Sequence, residues 1–423
     1  MKRIIGAFVV VFCWCASACA DCAAGYFAVG GDCVESKFTV TTTELAADTT
    51  FAFYMSAKGT FYVDWGDGTV DTITRTDTDE TLYDHTYSTA GVKTIRFGGI
   101  ATEYSTVFGV AAISFRRNDK LSIITGSLGA LLPMIGNGAT AGQLPSFYAT
   151  FASTTNLRSI PANLFSGITH SQSYMFWDTF ANSGITGIPE TLFAGITSGS
   201  RYALFDGTFR DCTSLTAIPE HLFDSITDSG YALFWQTFDG CTGVTSIPKN
   251  LFANLRGANK WMFYRTFSGC TGLRGYIPPE LFAGLNGETA ANMFTDTFRN
   301  TNLYTSCPCG TTQYETGYES AWSGKVSCTV GLKPNEHWYN GTCTTVCAAG
   351  VTEMKTSTGL AVPLITTKLT TPSINVAYNG STCFIPLAVG AAANAINMSW
   401  DETDYHTVMP DDITPTGFTG QPY

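Results

Sequence analysis

Side chains capable of acid–base or nucleophilic chemistry are few in this chain, and their spacing does not gather them into one site. Five histidines occur among 423 residues. His85 lies in a predicted β-domain, whereas His170 and His221 occupy unrelated positions of a later repeat. The sequence contains no GxSxG, HExxH or P-loop motif. Because catalysis needs a convergent acid, base and nucleophile, we expect no enzyme activity, no cofactor and no metal.

One row of carboxylates keeps a glycan-processing hydrolase open as an alternative. Glu190, Glu220 and Glu280 follow Ile-Pro or Pro-Pro at nearly the same position of the repeat. Aligned carboxyl groups could line a catalytic face. A glutamate after proline is more typical of a solvated turn, so the hydrolase is the less favoured hypothesis.

Aromatic side chains recur at one position of the repeat and form the best candidate binding surface. The position after a repeated Phe holds Trp177, Trp235 and Tyr264, and it also accepts Asp206 and Thr295. A position that accepts Asp and Thr is expected near the surface, where rigid aromatic rings suit glycans or protein partners. Partial burial between the repeats is the alternative.

A small polar face is predicted between the Leu and Ile positions of the repeat. Ser159 and Thr216 belong to it, with Arg158 and Arg274 towards its ends. Such a face could dock a flat partner, so both arginines join the predicted ligand-binding residues.

Composition restricts the classes of partner. The formal net charge is −11, with 44% apolar and 13% charged residues. An acidic chain without a Lys/Arg run repels nucleic acid and anionic membrane surfaces. No later segment approaches the ~20 apolar residues of a membrane helix, so the mature chain is expected to lack an integral span. An extracellular protein or glycan is the expected partner.

Two sequence markers repeat in phase and predict the element that carries these side chains. An Ile-Pro pair followed by Leu-Phe recurs, for example at Ile218-Pro219 and Leu222-Phe223. One such unit cannot bury its apolar side chains alone, so stacked copies are expected to form a continuous core. The second marker, a Thr-Phe pair, begins at Thr150, Thr179, Thr208, Thr237, Thr266 and Thr297.

These units resemble the bacterial surface-antigen (BspA-like) leucine-rich repeats. The resemblance covers residues 110–305 and rests on phrases such as Thr208-Phe209-Arg210-Asp211-Cys212-Thr213-Ser214-Leu215 and Met262-Phe263. It implies a repeat solenoid of the leucine-rich-repeat type with a parallel β face, built from short strands such as residues 215–218. It also implies adhesion to host or matrix. The unit is longer than is usual in that family.

A Cys column of the repeat is predicted to match the Asn/Cys position of that family. The position lies three residues before a repeated apolar residue, such as Leu215. It holds Cys212, Cys241 and Cys270, and in other copies Asn182, Asn300 and Thr154. These three cysteines are expected to be structural.

Residues 37–100 predict a β-sandwich in front of the repeats. The region contains the motif Val63-Asp64-Trp65-Gly66-Asp67-Gly68-Thr69 and, further along, His85-Thr86-Tyr87. With these motifs it resembles PKD-like domains, which are spacers or binding accessories in secreted proteins. Asp64 and Asp67 could ligate calcium, but aspartates in a hairpin usually shape the turn.

Of the 14 cysteines, those outside the repeat and the leader are expected to form disulfides. Only the pair Cys22–Cys33 follows from proximity. A zinc site built from the C-terminal cysteines with His337 is the alternative. The eight cysteines are Cys22, Cys33, Cys307, Cys309, Cys328, Cys343, Cys347 and Cys383.

The first twenty residues predict export. Lys2 and Arg3 precede an apolar run, and Ala18-Cys19-Ala20 predicts cleavage near Ala20; a lipoprotein acylated at Cys19 is the alternative. The sequence therefore predicts a secreted or cell-surface interaction protein, with a structural spacer lacking a specific ligand as a further alternative. The predicted segments are 1–20 signal peptide, 21–36 Cys-stapled segment, 37–100 sandwich, 101–305 repeats, 306–350 Cys-rich segment, 351–408 β-module and 409–423 tail.

Overall fold

The computed structural model describes residues 22–138, 140–307 and 312–328 with their side chains, and further strands between residues 336 and 388 as backbone. The predicted signal peptide and C-terminal tail lie outside the described residues. The chain divides into two compact units, Met1–Leu303 with Gly317–Gly324, and Tyr304–Thr316 with Lys325–Tyr423.

The first unit begins with a hairpin and a two-sheet sandwich. The predicted disulfide Cys22–Cys33 closes the hairpin. The strands are β1 (Tyr26–Val29), β2 (Asp32–Glu35), β3 (Phe38–Thr42), β4 (Thr49–Met55), β5 (Lys58–Asp64), β6 (Val70–Arg75), β7 (Thr81–Tyr87), β8 (Thr94–Glu103), β9 (Ile113–Ser114) and β10 (Leu121–Gly126). One sheet has the order β10-β3-β8-β5-β6 and the other β7-β4-β9, and every pairing is antiparallel.

Alternating apolar and polar residues explain why these strands pack as two layers. Phe38 and Val40 on β3 are buried, whereas Thr39 and Thr41, which alternate with them, are half-buried. Phe53 on β4 meets Phe97 on β8 edge to face at 5.1 Å, so rings from both sheets form the core. The outer face of β8 carries Gly98, and a side chain there would collide with Val34 of the hairpin.

The first repeat copy, residues 110–145, has no Thr-Phe pair and supplies one strand to each sheet. β9 pairs with β4, and β10 pairs with β3. Phe115 follows β9, contacts Phe97 at 5.7 Å, and stacks on Phe151 of the next copy at 5.7 Å and 6°. The apolar core therefore runs without a break across the predicted boundary at residue 100.

The repeat region is not a leucine-rich-repeat solenoid with a parallel β face, and this prediction is wrong. Between residues 147 and 300, the described chain has only the two-residue strands β11 (His170–Ser171) and β12 (Ser198–Gly199) and an isolated bridge. Residues 215–218 form no strand. The described strands lie mainly in antiparallel sheets. An apolar period shows which side chains face inward, but it does not fix the backbone between them.

Consecutive tight turns form each copy instead. Tyr174, Asp178 and Asn182 have left-handed φ angles of 59°, 51° and 54°. Alternate N–H groups donate three residues back, as Trp177 does to Tyr174 (3.1 Å). The intervening N–H groups donate to the next copy, as Asp178 does to Asp206 (2.9 Å). This pattern satisfies the backbone without strands or helices. It recurs in residues 203–211, 232–240 and 261–269.

Phenylalanine rings fill the centre of the turn-rich stack. One ladder continues from the sandwich core with neighbouring rings 5.4–5.7 Å apart and within 11° of parallel. The last copy is covered by Tyr318, 4.8 Å from Phe294, and by Trp322, 6.0 Å from Phe298. The ladder comprises Phe115, Phe151, Phe180, Phe209, Phe238, Phe267 and Phe298.

The threonine of each Thr-Phe pair ties one copy to the copy before it. Each side chain is fully buried, and its hydroxyl donates to a backbone carbonyl of the preceding copy at 2.8–3.0 Å. Thr208, for example, donates to the carbonyl of Phe176. The pair recurs because one residue supplies this bond and the next supplies the stacked ring.

The Cys column has a role that corrects its predicted alignment. Cys212, Cys241 and Cys270 are buried thiols that donate to carbonyls of the preceding copy at 3.0–3.1 Å. Asn182 and Asn300 instead share left-handed φ angles with Asp211, Gly240 and Gly269. The copies with Asn have one residue fewer before the next apolar position. A count of three residues back from that position therefore reaches Asn182 and Asn300 instead of Ser183 and Thr301. The residues equivalent to the cysteines, four after each Thr, are Thr154, Ser183 and Thr301.

We expect Cys241→Ser to be more stable than Cys241→Ala by about 1 kcal/mol in chemical denaturation. The carbonyl of Phe209 accepts from the Cys241 thiol and from the N–H of Cys212. Serine keeps the side-chain donor, whereas alanine removes one of the two hydrogen bonds to this buried acceptor. Burial raises the pKa of the neighbouring Cys212 thiol to about 11, so this column acts as protonated donors. Equal stability of the two variants would contradict this role.

The second unit contains a disulfide-linked segment and short strands. Cys307 and Cys328 are bonded, which removes two ligands from the alternative zinc set. The other cysteines of the C-terminal group lie outside the residues whose side chains are described. The strands are β13 (Glu336–Tyr339), β14 (Thr342–Val346), β15 (Glu353–Lys355), β16 (Ala361–Pro363), β17 (Ser373–Ala377) and β18 (Cys383–Ala388). One sheet has the order β13-β14-β18-β17, and β15 pairs with β16.

Helices are short throughout the described residues. They are α1 (Leu128–Leu131) and the 3-10 turns Ala283–Leu285 and Glu319–Ala321. None of the described helices has the length and apolar character needed to cross a bilayer.

Candidate functional site

A polar groove of about 880 Å³ runs along the outside of the first repeat copies. Its size suits a small ligand or a short oligomer. Polar and charged side chains dominate its walls, and one aromatic ring, that of Tyr148, lines it. The lining residues are Glu80, Gly109, Arg116, Arg117, Tyr148, Ala149, Ala152, Ser153, Asp178, Ala181, Asn182, Arg210, Asp211 and Thr213.

The repeating turns place four groove side chains in one column. Arg117, Ser153, Asn182 and Asp211 all have left-handed φ angles between 54° and 60°. Each N–H in this column donates to the next copy at 2.7 Å, as Arg117 does to Ala152. The column therefore presents a cation, a hydroxyl, an amide and a carboxylate at the spacing of successive copies.

Two of the three groove guanidinium groups are engaged by carboxylates. Arg116 makes a bidentate ion pair with Glu80 at 2.6 and 2.8 Å and lies over the ring of Tyr54. Arg210 donates to Asp178 of the preceding copy at 3.1 Å. The pair between Arg210 and Asp178 links neighbouring copies at the wall of the groove.

Asp178 and Asp206 are carboxyls that lie against each other in successive copies. Burial raises the pKa of Asp178 to about 6, although the Arg210 guanidinium opposes the shift. Burial, and next the charge of Asp178, raise the pKa of Asp206 to about 7. Oδ1 of Asp178 has no hydrogen-bond partner and lies where any side chain on Gly207 would be. The protein therefore keeps two titrating carboxyls near neutral pH beside the groove.

We expect the free energy of unfolding to fall as pH rises from about 4 to 7. The unfolded carboxyls ionise near their ordinary pKa, whereas the folded protein holds the protons of Asp178 and Asp206 until higher pH. The stabilisation from these protons is complete at low pH and is lost as pH rises past the pKa values of the two carboxyls in the folded protein. The free energy of unfolding is measured by chemical denaturation at several pH values between 4 and 7. In Asp206→Asn its decline over this range should be smaller by about 1–3 kcal/mol.

The exposed aspartate of β7 provides the control for this pH series. Asp84→Asn should keep the wild-type slope between pH 4 and 7, because Asp84 is exposed. An unchanged slope in Asp206→Asn would show that its carboxyl does not titrate in this range.

An aromatic cluster borders the groove and contains the predicted residue Trp177. Trp177 is half-buried, and its ring lies 5.0 Å from Tyr148, 5.2 Å from Phe108 and 5.5 Å from Tyr174. Phe108 is 61% exposed, so the cluster reaches the surface. Trp177 itself does not line the groove; it supports the ring of Tyr148, which does.

Trp235 and Tyr264 form a separate aromatic cluster two copies further along. Their rings are 4.4 Å apart, and both contact Trp261, at 5.4 and 5.0 Å. Both side chains are half-buried and neither lines the groove. The predicted aromatic residues are thus divided between two clusters, and the ring that reaches the groove is that of Tyr148, which the prediction did not include.

The predicted arginines act within the stack and do not line the groove. Arg158 Nη1 donates to the carbonyls of Thr155 and Gly184, both at 2.9 Å. Arg274 Nη1 donates to the carbonyl of Leu273 at 3.0 Å and to another carbonyl of its own turn. Both exposed arginines satisfy turn carbonyls, and the structure does not join them to the aromatic clusters.

None of the groove residues was among the binding residues predicted from the sequence. Arg117, Asn182 and Asp211 share a repeat position, but its occupants differ in charge and size, so no residue pattern marks it. The detectable signal was Tyr148, which occupies the same column as Trp177 and Tyr264 after a repeated Phe. Alignment on the Thr-Phe pair places all three at one position.

The aspartates of the sandwich motif shape a turn. Asp64 accepts from the N–H of Gly66 and pairs with Arg96 at 2.9 Å. Asp67 accepts from Thr69 and lies 2.7 Å from Nε2 of His85. Each carboxylate has protein partners, as expected for turn formers. Among the described residues, no group of three or more His, Cys, Asp or Glu side chains is arranged to hold a metal ion.

Comparison with models of known families, with curated proteins and with solved structures finds no match to this chain.

Proposed function

We propose that this protein is an extracellular recognition protein that binds a glycan in the polar groove. The observation that carries the proposal is the combination of an aromatic ring, Tyr148, with hydrogen-bonding side chains from four successive copies in one groove. Sugars present apolar C–H faces and a high density of hydroxyls, so they need both kinds of partner at once. A flat protein partner would find few apolar contacts in this groove.

The rigidity of the groove favours binding. Its floor is made of turns that are bonded to the next copy, and its side chains rise from a stacked Phe core. A ligand therefore meets a preformed surface and orders few loops on binding. Arg116 and Arg210 pair with carboxylates, and the neutral Ser153 and Asn182 between the copies offer hydrogen-bonding partners for sugar hydroxyls.

An extracellular location is part of the same proposal. The disulfides Cys22–Cys33 and Cys307–Cys328 need an oxidising compartment to persist. The sequence signals for export agree with this, since basic residues, an apolar run and a small-residue cleavage site stand at the start of the chain. Attachment to host or matrix glycans would then be an adhesive role.

We expect Tyr148→Ala to weaken glycan binding about tenfold or more, because a buried aromatic contact contributes over 1 kcal/mol. A glycan array identifies the strongest ligand, and calorimetry with that glycan measures the dissociation constant of each variant. Thermal unfolding confirms that the variant is folded.

Tyr264→Ala is the matched control, because Tyr264 occupies the same column and lies outside the groove. Its affinity should equal that of the wild type. Equal affinities of the Tyr148 and Tyr264 variants would place the ligand elsewhere. Absence of saturable binding to any glycan would favour a spacer without a specific ligand.

A further inference from the structure

One cation of the groove has no carboxylate partner among the described residues. Arg116 and Arg210 pair with Glu80 and Asp178, but no described ion pair involves Arg117. Its side chain is exposed and lines the groove. A free guanidinium in a groove whose other cations are neutralised is a site for an anionic group of a ligand.

The backbone holds Arg117 in a fixed position at one end of the groove column. Its φ is 60°, and its N–H donates to the carbonyl of Ala152 at 2.7 Å. Asn118 follows, accepts from Lys120 and donates to the carbonyl of Ala52 in the sandwich at 3.0 Å. The guanidinium therefore extends from an anchored turn, which lowers the entropy lost on binding.

The other end of the column has the opposite charge. Asp211 is exposed, lines the groove, and has no ion pair among the described residues. Between the two ends lie the neutral Ser153 and Asn182. A ligand that runs along the column would meet a cation first, then neutral hydrogen-bonding groups, and then a carboxylate that repels further negative charge.

We propose that the ligand is an oligosaccharide that ends in one acidic sugar, whose carboxylate pairs with Arg117 while its neutral sugars extend towards Asp211. The inference deepens the proposed function and rests on it. One carboxylate matches one free guanidinium, and sugar hydroxyls can donate to Asp211. A polyuronate is disfavoured, because its later carboxylates would approach Asp211.

The test compares glycans that differ only in charge. An array presents oligosaccharides with a terminal sialic or uronic acid, each beside its carboxyl methyl ester. The strongest acid–ester pair is then titrated into the full chain by calorimetry. We expect the acid to bind about ten to one hundred times more tightly than its ester, as for a charge-assisted pair.

Arg117→Gln should bind the acid no more tightly than the ester, and its retained binding of the ester shows that the groove is intact. Arg274→Gln, at an exposed arginine outside the groove, should keep the preference. Asp211→Asn should improve binding of tetragalacturonate, because it removes the repelling carboxylate.

Equal binding of acids and esters, or a preference that persists in Arg117→Gln, would overturn this inference and leave the proposed glycan binding in place. A lack of binding by every acid and every ester would overturn both. A tighter binding of tetragalacturonate than of singly charged glycans to the wild type would also overturn the single-carboxylate assignment.

Discussion

Phe234→Ala is expected to lower the free energy of unfolding by about 3–5 kcal/mol, the range for a fully buried phenylalanine. The ring lies between the parallel rings of Phe205 and Phe263, at 5.7 and 5.6 Å. It also contacts Phe223 and Phe252 at 4.8 and 4.7 Å. Because these neighbours are held by bonds between copies, they cannot close over the missing ring, and a cavity remains. Chemical denaturation followed by tryptophan fluorescence measures the loss.

The exposed Phe108 provides a control of the same chemical change. Phe108→Ala removes a ring that is 61% exposed, so it should cost less than about 1 kcal/mol. A loss at Phe234 no greater than the loss at Phe108 would mean that the stack relaxes around the gap.

Phe115→Ala is expected to destabilise the sandwich and the repeats together, by about 3–5 kcal/mol. Its ring contacts Phe38 and Phe97 in the sandwich and stacks on Phe151 in the repeats. β9, directly before it, is bonded to the sandwich strand β4. If one core spans both parts, they unfold in one transition.

Hydrogen exchange followed by mass spectrometry separates the two parts. In Phe115→Ala, protection should fall by the same free energy in β4 and β5 and in residues 203–211 of the stack. A loss of protection confined to the sandwich would show two independent domains divided near residue 100.

The sandwich and its disulfide hairpin could be predicted from sequence because their signals are local. Alternation at Phe38 and Val40 marks a half-buried strand, and Cys33 lies eleven positions after Cys22, which favours a short closed loop. The strands that complete the sheets could not be assigned in this way. β9 and β10 lie within the first repeat copy, and only tertiary contacts decide that they join the sandwich.

The sequence showed the period of the repeat, but it did not show the conformation of the backbone within each copy. Thr208 and Phe209 mark a copy because a buried hydroxyl and a stacked ring recur, and both requirements act on side chains. The left-handed residues that make the turns include Tyr174, Ala203 and Trp261, which carry no glycine signal. Hydrogen bonds to the next copy stabilise these conformations, and such bonds leave no mark in a single copy. The leucine-rich-repeat prediction failed at this point.

The predicted binding residues do not line the groove, and only Trp177 contacts a residue that does, because a groove depends on which columns become neighbours. Trp177 and Tyr148 share a column that the sequence shows. Arg117 and Asp211 come together with them through the alignment of turns over several copies, together with Glu80 from the sandwich. No spacing rule within one repeat connects these residues.

The backbone hydrogen bonds that the turn segments around the Thr-Phe pairs make to other copies run in one direction and give these segments an electric axis. Every inter-copy N–H of these segments, from Phe151 to Gly269, points towards the later copies, so the dipoles of these peptides add along the segments as they do along an α-helix. Other backbone N–H groups, such as those of Gly184 and Thr216, point towards the earlier copies. The end at residues 292–300 gains partial positive charge, and the end at residues 112–117 gains partial negative charge. Arg116 and Arg117 stand at the negative end and Asp296 at the positive end. Each charge lies where the field stabilises it. The same field opposes the binding of an anion beside Arg117, so the guanidinium must supply the attraction.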